Sequence, residues 1–219
     1  MKYFRVALLS LLALVLLLLF IGGGVAWYVG LHDRGINLNF DPAAVAASET
    51  RMWRHYYAGK GREMGMEMMN LMREQFGASL KTAYEVCEPM ARGAMAFHRA
   101  PGANAREQIM PHLEESYARL AKACGKDWDA NALAEAEFAW WAARRTPGQD
   151  SPEQVGALIA NLYSLMYGTS NPDIERAGLL RAQAAALRDA ERTAPDWPQI
   201  ESLLVDSYTA LHAGINPSR

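Results

Sequence analysis

Residues 99–109 read RAPGANAREQI, and residues 145–155 read RTPGQDSPEQV. At an offset of 46 the two segments share Arg, Pro, Gly, Glu and Gln, and the same offset sets Tyr117 on Tyr163. That makes six identities in a gapless window of 19 residues. A third segment follows at an offset of 45, with Leu158 on Leu203, Ile159 on Leu204 and Tyr163 on Tyr208. Further back, Glu49-x-x-x-Trp53 and Glu137-x-x-x-Trp141 stand 88 residues apart, close to twice the period. A period of this length fits a helical hairpin, and a hairpin that cannot bury its apolar face alone must lean on its neighbours. The period exceeds that of the tetratricopeptide unit, whose pattern is absent. The competing explanation is four unrelated hairpins with common turn chemistry, since Pro and Gly recur at turns for local reasons.

The segments between these turns read as helices with their own start and stop signals. Asp41-Pro42, Ser151-Pro152 and Asn171-Pro172 each set a side-chain cap before a proline at the first helical position. Ser79, Asp129 and Asp196 serve as further caps, while Gly77, Gly125 and Gly168 are stops. Pro101-Gly102 turns the chain, and Pro111 kinks or restarts the helix that follows. Ala, Leu, Met and Glu abound, whereas strand-like alternation of Val, Ile and Thr is nearly absent. The expected fold is all-α. It comprises an N-terminal transmembrane helix plus about eight helices in four stacked hairpins, at about 42–77, 79–125, 129–168 and 171–214, as an α-solenoid-like stack or a compact helical array.

From Val6 to Leu31 the run VALLSLLALVLLLLFIGGGVAWYVGL carries no charge. As a helix it would span roughly 39 Å, enough to cross a bilayer with some tilt. Trp27 and Tyr28 lie near its end, where amphipathic rings favour the headgroup region. Residues 1–31 are therefore read as an anchor, 32–41 as a short polar linker and 42–219 as a helical domain outside the bilayer. Lys2 and Arg5 precede the run, which predicts a cytoplasmic N-terminus and an extracytoplasmic, periplasmic domain. Gly24-Val25-Ala26 offers the alternative of a cleaved signal peptide, but the apolar stretch is longer than a usual signal core.

All 24 acidic residues of the chain lie beyond the run, as do all but two of its 22 basic ones, leaving that part at about −4. This balance argues against a nucleic-acid surface, which needs a basic stripe to replace counterions on phosphates.

Site candidates are few. Met64, Met66, Met68, Met69 and Met72 cluster within nine residues, and Met64, Met68 and Met72 share one helix face. Thioethers suit Cu(I), yet methionine also fills cores and partner surfaces, and no His or Cys stands in this helix. His112-x-x-Glu115 reverses the Glu-x-x-His spacing of di-iron bundles, and the plain expectation for it is a surface pair. The polar–aromatic set is the richest: Glu49, Trp53, Tyr57, Arg99, Glu137, Trp141 and Arg145. A glutamate one turn before a buried Trp is itself semi-buried and needs a partner, for which the arginines ending these helices are the natural choice. That set reads either as an Arg–Glu network fixing hairpin register or as an aromatic groove for a peptide or small ligand. Cys87 and Cys124, counted from the intervening turn, fall ~10 Å out of step on straight antiparallel helices, which predicts two free buried thiols unless a kink at Pro111 brings them together.

No GxSxG, HExxH, Gly-rich phosphate loop or Asp-rich calcium loop occurs. The expectation is accordingly a protein without enzymatic activity or cofactor: a membrane-anchored helical-repeat scaffold that meets the bilayer through residues 6–31 and a protein partner at the membrane. The alternatives are a metal- or cofactor-binding bundle, including a metalloenzyme, and a small-ligand or peptide-binding domain with an aromatic groove lined by Glu and Arg.

Overall fold

The computed structural model describes residues 2–100 and 105–217. The Pro101-Gly102 turn and the side chains of Lys2 and Arg5 lie outside the described residues. The described residues form nine α-helices and no strand: α1 (Lys2–Leu31), α2 (Pro42–Tyr57), α3 (Gly61–Glu74), α4 (Leu80–Arg99), α5 (Arg106–Cys124), α6 (Ala130–Ala143), α7 (Pro152–Tyr167), α8 (Pro172–Ala190) and α9 (Trp197–Ile215).

The caps account for these boundaries. Asp41 Oδ1 accepts from the amides of Ala43 (2.9 Å) and Ala44 (3.3 Å), and Asp129 and Asn171 make the same pair of bonds at α6 and α8. Ser79 and Ser151 each accept from the third helical amide. Helix α5 is closed by Gly125 at φ 61° and α7 by Gly168 at φ 67°, a left-handed turn that costs glycine nothing. Helix α5 runs on through Pro111, which neither ends nor restarts it. Pro89 inside α4 cannot bond the carbonyl of Glu85, which accepts from Arg119 Nη1 of α5 at 2.7 Å instead.

Beyond α1, each helix packs on the next, and α9 returns onto α2. Of the two forms expected, the helices thus take the compact one: a closed ring of eight, with short connections and alternating direction. The connections α2–α3, α6–α7 and α8–α9 share one end of the ring with the end of α4 and the start of α5. The other three connections share the opposite end with the start of α2 and the end of α9.

Ile109, Leu113, Leu133, Ile159 and Ile174 fill the main core, each at most 2 % exposed. Burying a side chain of this kind stabilises the fold by about 1.5–3 kcal/mol. Helix α6 is largely apolar and mostly buried, Glu137 included, with Asn131 and Glu135 on its outer side. Helices α7 and α8 meet at Gly156 and Gly178, where a Cβ on Gly178 would stand 2.3 Å from the carbonyl oxygen of Gly156.

Helix α1 contacts the ring at α4. Its segment Leu11–Tyr28 is long and apolar enough to cross a membrane and has none of its surface buried. Residues 32–41 form no helix but are held to the ring along their length. Asp33 accepts from the Ser79 amide (2.7 Å), Arg34 donates to the Arg73 carbonyl (2.6 Å), and Phe40 is buried against Phe76 and Tyr208. The chain therefore leaves for α1 from the end of the ring that carries the α3–α4 connection. Cys87 and Cys124 are both free; Cys87 is buried, which pushes its thiol up to about 12, while Cys124 is half-buried.

Candidate functional site

The centre of the ring is polar. Glu49 of α2 is 2 % exposed and accepts from Arg181 of α8 through Nε (3.0 Å) and Nη2 (2.5 Å). Its second oxygen accepts from Tyr208 OH of α9 at 2.6 Å. Across the ring, Glu137 of α6 accepts from Trp141 Nε1, one turn on, and from Tyr117 OH of α5, both at 2.8 Å. Arg181 also lies over the Trp140 ring, 4.8 Å from its centroid.

The two carboxylates are not equivalent. Glu49 holds a guanidinium, whereas Glu137 forms no ion pair among the described residues. Burial raises the pKa of Glu137, and the charge of Arg181 with the Tyr117 and Trp141 hydrogen bonds only partly offsets this. Burial disfavours the charge of Arg181, but Glu49 beside it more than compensates and keeps it protonated. Tyr117 and Tyr208 are held well above the usual phenol range by burial and by the carboxylate each one serves. Burial takes Tyr163 to about 12, and its hydroxyl and Trp140 Nε1 are buried without a hydrogen-bond partner.

A cavity of about 160 Å³ opens beside this network. Its walls are the thioethers of Met52, Met64, Met68 and Met90, from three helices, and the rings of Trp53, Phe97, Trp140 and Trp141. Glu49, Glu137 and Arg181 line its interior. Tyr56 and Tyr57 close α2, and Arg144 and Arg145 follow α6, so these lining residues stand at its mouth. The mouth lies at the end of the ring opposite the departure of α1.

Arg144 donates to Tyr57 OH (2.8 Å) and Asp189 Oδ2 (2.7 Å), while Arg188 pairs with Asp189 at 3.2 Å and covers the Tyr57 ring. Burial alone would raise the pKa of Asp189, but Arg144 outweighs it and holds the carboxyl low. Burial and the charges of Arg145, Arg99 and Arg188 depress His98, which packs on Tyr56. Arg145 forms no ion pair among the described residues, so three arginines face one aspartate and the mouth is net positive.

Of the residues singled out in the sequence, Glu49, Trp53, Tyr57, Glu137, Trp141 and Arg145 line this one cavity, joined by Met64 and Met68. Arg99 does not; with His112 it lines a shallower groove on the outer face of α3 and α4. Met72 lines neither space, and Glu115 pairs with Arg119 on the surface at 2.5 Å. The arginines ending the helices do not reach the two buried glutamates: Arg144 takes Asp189, and Glu49 takes Arg181 from mid-helix. Arg181 was legible only as a lone charge in the alanine-rich stretch RAQAAAL (181–187). Tyr117, Tyr163 and Tyr208 stood out as marks of the period, and all three are directed to the centre. Among the described residues no three of His, Cys, Asp and Glu gather as a metal site. The soft donors of the cavity, Met52, Met64, Met68 and Met90, have no His or Cys among the lining residues to complete a copper site. Comparison with protein-family models, with curated proteins and with solved structures gave no match.

Proposed function

We propose that this protein is a membrane-tethered binding module that takes a small ligand into the cavity at the centre of its helical ring. One observation carries the reading: an apolar pocket walled by flexible thioethers and large aromatic faces ends on a buried carboxylate. Convergent polar groups at the end of an apolar pocket are the usual form of a small-molecule site. Methionine walls adapt to ligand shape, and a cavity of about 150 Å³ accepts a benzene-sized group. A scaffold with an extended concave groove finds less support, because closure of α9 onto α2 leaves no open stack. In this reading α1 is the anchor, the domain is extracytoplasmic, and the mouth faces away from the bilayer toward ligand in the aqueous phase.

Tryptophan emission reports the site directly, since Trp53, Trp140 and Trp141 line it. Full-length protein in lipid nanodiscs should show saturable changes with small amphiphiles, and Ala94→Phe, which fills the cavity, should abolish them. Saturation unaffected by Ala94→Phe would place binding elsewhere and defeat the reading.

A second reading, a protein partner in the membrane, is favoured by the outer groove between α3 and α4. There Met66 and Tyr84 are exposed, and Leu80 stands exposed at the anchor end of α4. Photo-crosslinkers at Met66 and Tyr84, in native membranes, should then trap one discrete adduct; a smear of products would exclude it.

A further inference from the structure

The ring contains the same serine–carbonyl and tyrosine–glutamate contacts twice, and the two copies differ in what else reaches the glutamate: Arg181 at Glu49, and Trp141 Nε1 at Glu137. In the half α2–α5, Ser116 Oγ donates to the Val86 carbonyl of α4 at 2.8 Å; in the half α6–α9, Ser207 Oγ donates to the Ala177 carbonyl of α8 at 2.7 Å. The next residue in each case is the tyrosine that reaches a buried glutamate: Tyr117 serves Glu137, and Tyr208 serves Glu49. In both cases the glutamate belongs to the helix that follows around the ring, and in both it precedes a tryptophan by one turn. These pairs match at a separation of 91 residues on α4/α8 and α5/α9 and of 88 on α2/α6. The correspondence is therefore one of place, hydrogen-bond partner and residue type together.

Four residues beyond the accepting carbonyl, one half has Arg181 and the other Met90. Arg181 fills the space before Glu49 with a guanidinium bonded to the carboxylate. Met90 supplies nothing to Glu137 and borders the cavity, as do Glu137 and Trp141 themselves. A carboxylate offers about four acceptor positions, and Glu137 uses two of them. With Glu137 ionised, the group Glu49, Arg181 and Glu137 carries one negative charge too many.

We propose that the cavity seats the cationic end of a small ligand, an ammonium or guanidinium group, against the remaining acceptor positions of Glu137, beside Met90, which holds the chain position corresponding to Arg181. This rests on the ligand-binding reading above and names its ligand class. The faces of Trp140, Trp141 and Phe97 and the sulfurs of Met64 and Met68 suit a desolvated cation with a short apolar stem. Trp140 Nε1, which makes no full hydrogen bond, lies beside Glu137 and helps to favour its charged form. Arg145 at the mouth, free of ion pairs among the described residues, favours a ligand whose outer end is an acceptor or an anion.

The test titrates full-length protein in nanodiscs with three probes of similar length, n-butylguanidinium, 1-pentanol and pentanoate, read by tryptophan emission. The expected result is that butylguanidinium binds at least tenfold more tightly than either other probe. Glu137→Gln should remove that preference while leaving pentanol binding within a factor of two. Met90→Arg, which places a guanidinium from the chain itself before Glu137, should abolish butylguanidinium binding and raise Tm. Binding of pentanol or pentanoate with butylguanidinium excluded would overturn the cation seat and leave the ligand-binding reading standing. Silence from all three probes would overturn both. Undiminished butylguanidinium binding in Glu137→Gln would also overturn the seat, and that variant decides the matter should Met90→Arg fail to fold.

Discussion

Glu49 and Glu137 each stand one turn before a tryptophan in the interior of a helix, yet their surroundings assign them opposite roles. Glu49 is half of a buried ion pair, with Arg181 14 % and Glu49 2 % exposed. Removing one member strands the other charge without water, which costs about 3–5 kcal/mol. Arg181→Met should accordingly lower the unfolding free energy by about 3 kcal/mol in urea denaturation. Glu49→Gln in the same chain should restore part of it, because the stranded charge is then gone; no restoration would mean that Arg181 acts through packing alone. Glu137 behaves the other way. Its pKa in the folded state lies above the ordinary glutamate value of 4.5, so the folded state holds that proton more tightly than the unfolded chain. Its contribution is fully present below pH 4.5 and declines as the pH rises through the raised folded value. The groups facing it are Tyr117, Arg181 and Tyr163, none of which titrates in that window. Glu137→Gln should therefore gain in stability relative to the parent as the pH rises above 4.5, and keep the Tyr117 and Trp141 contacts. Denaturation midpoints of the two proteins that run parallel from pH 4 to 8 would contradict this. Both glutamates were legible in the sequence, from their spacing to a tryptophan. Their partners were not, because Arg181 is 132 residues from Glu49 and no local rule joins them.

Helices are where the sequence was most informative. Asp, Ser and Asn caps, prolines at first positions and terminal glycines are local chemistry, and each boundary they mark agrees with the structure to within a few residues. What local chemistry does not encode is which faces meet. Gly156 and Gly178 lie inside helical stretches, where glycine costs up to about 1 kcal/mol relative to alanine and gives no sign of its use. In the fold they let α7 and α8 approach until backbone touches backbone: a Cβ on Gly156 would stand 2.8 Å from Leu179 Cα. Gly178→Ala should thus destabilise by about 1–3 kcal/mol, as overpacking against rigid backbone does. Gly65→Ala is the opposite case. Its new methyl would meet only the Ala91 Cβ at 3.7 Å, so the gain in helix propensity should stabilise by about 0.5–1 kcal/mol. Thermal melts of the two variants should move in opposite directions, and a shared direction would refute the packing argument.

The whole molecule is decided by closure, which no single element reveals. Four hairpins in a row could continue as an open stack; α9 lying on α2 makes them a ring with an inside, and only then do residues as distant as Trp53 and Arg145 border one space. The same closure gives residues 32–41 a structural task. Phe40 packs on Phe76 of α3–α4 and on Tyr208 and His212 of α9, and Asn39 bonds His212 Nε2 at 2.8 Å, so this segment clamps the seam between the first and last helices. Composition marked 32–41 as polar and short, but nothing in it showed that Phe40 would be 7 % exposed. Two truncations separate the parts of this picture. Residues 32–219 keep the clamp and lose the apolar run, so they should be soluble without detergent and melt at the temperature of the full-length protein in nanodiscs. Residues 42–219 lose Phe40, the Asp33–Ser79 bond and the Asp41 cap. Loss of one buried Phe costs about 3–5 kcal/mol and of a cap about 1 kcal/mol. Against a marginal total of about 5–15 kcal/mol, the shorter chain should melt far lower or fold only in part. Equal melting of the two truncations would show that the ring closes without its clamp, and aggregation of 32–219 alone would show that α1 supports the fold rather than merely tethering it.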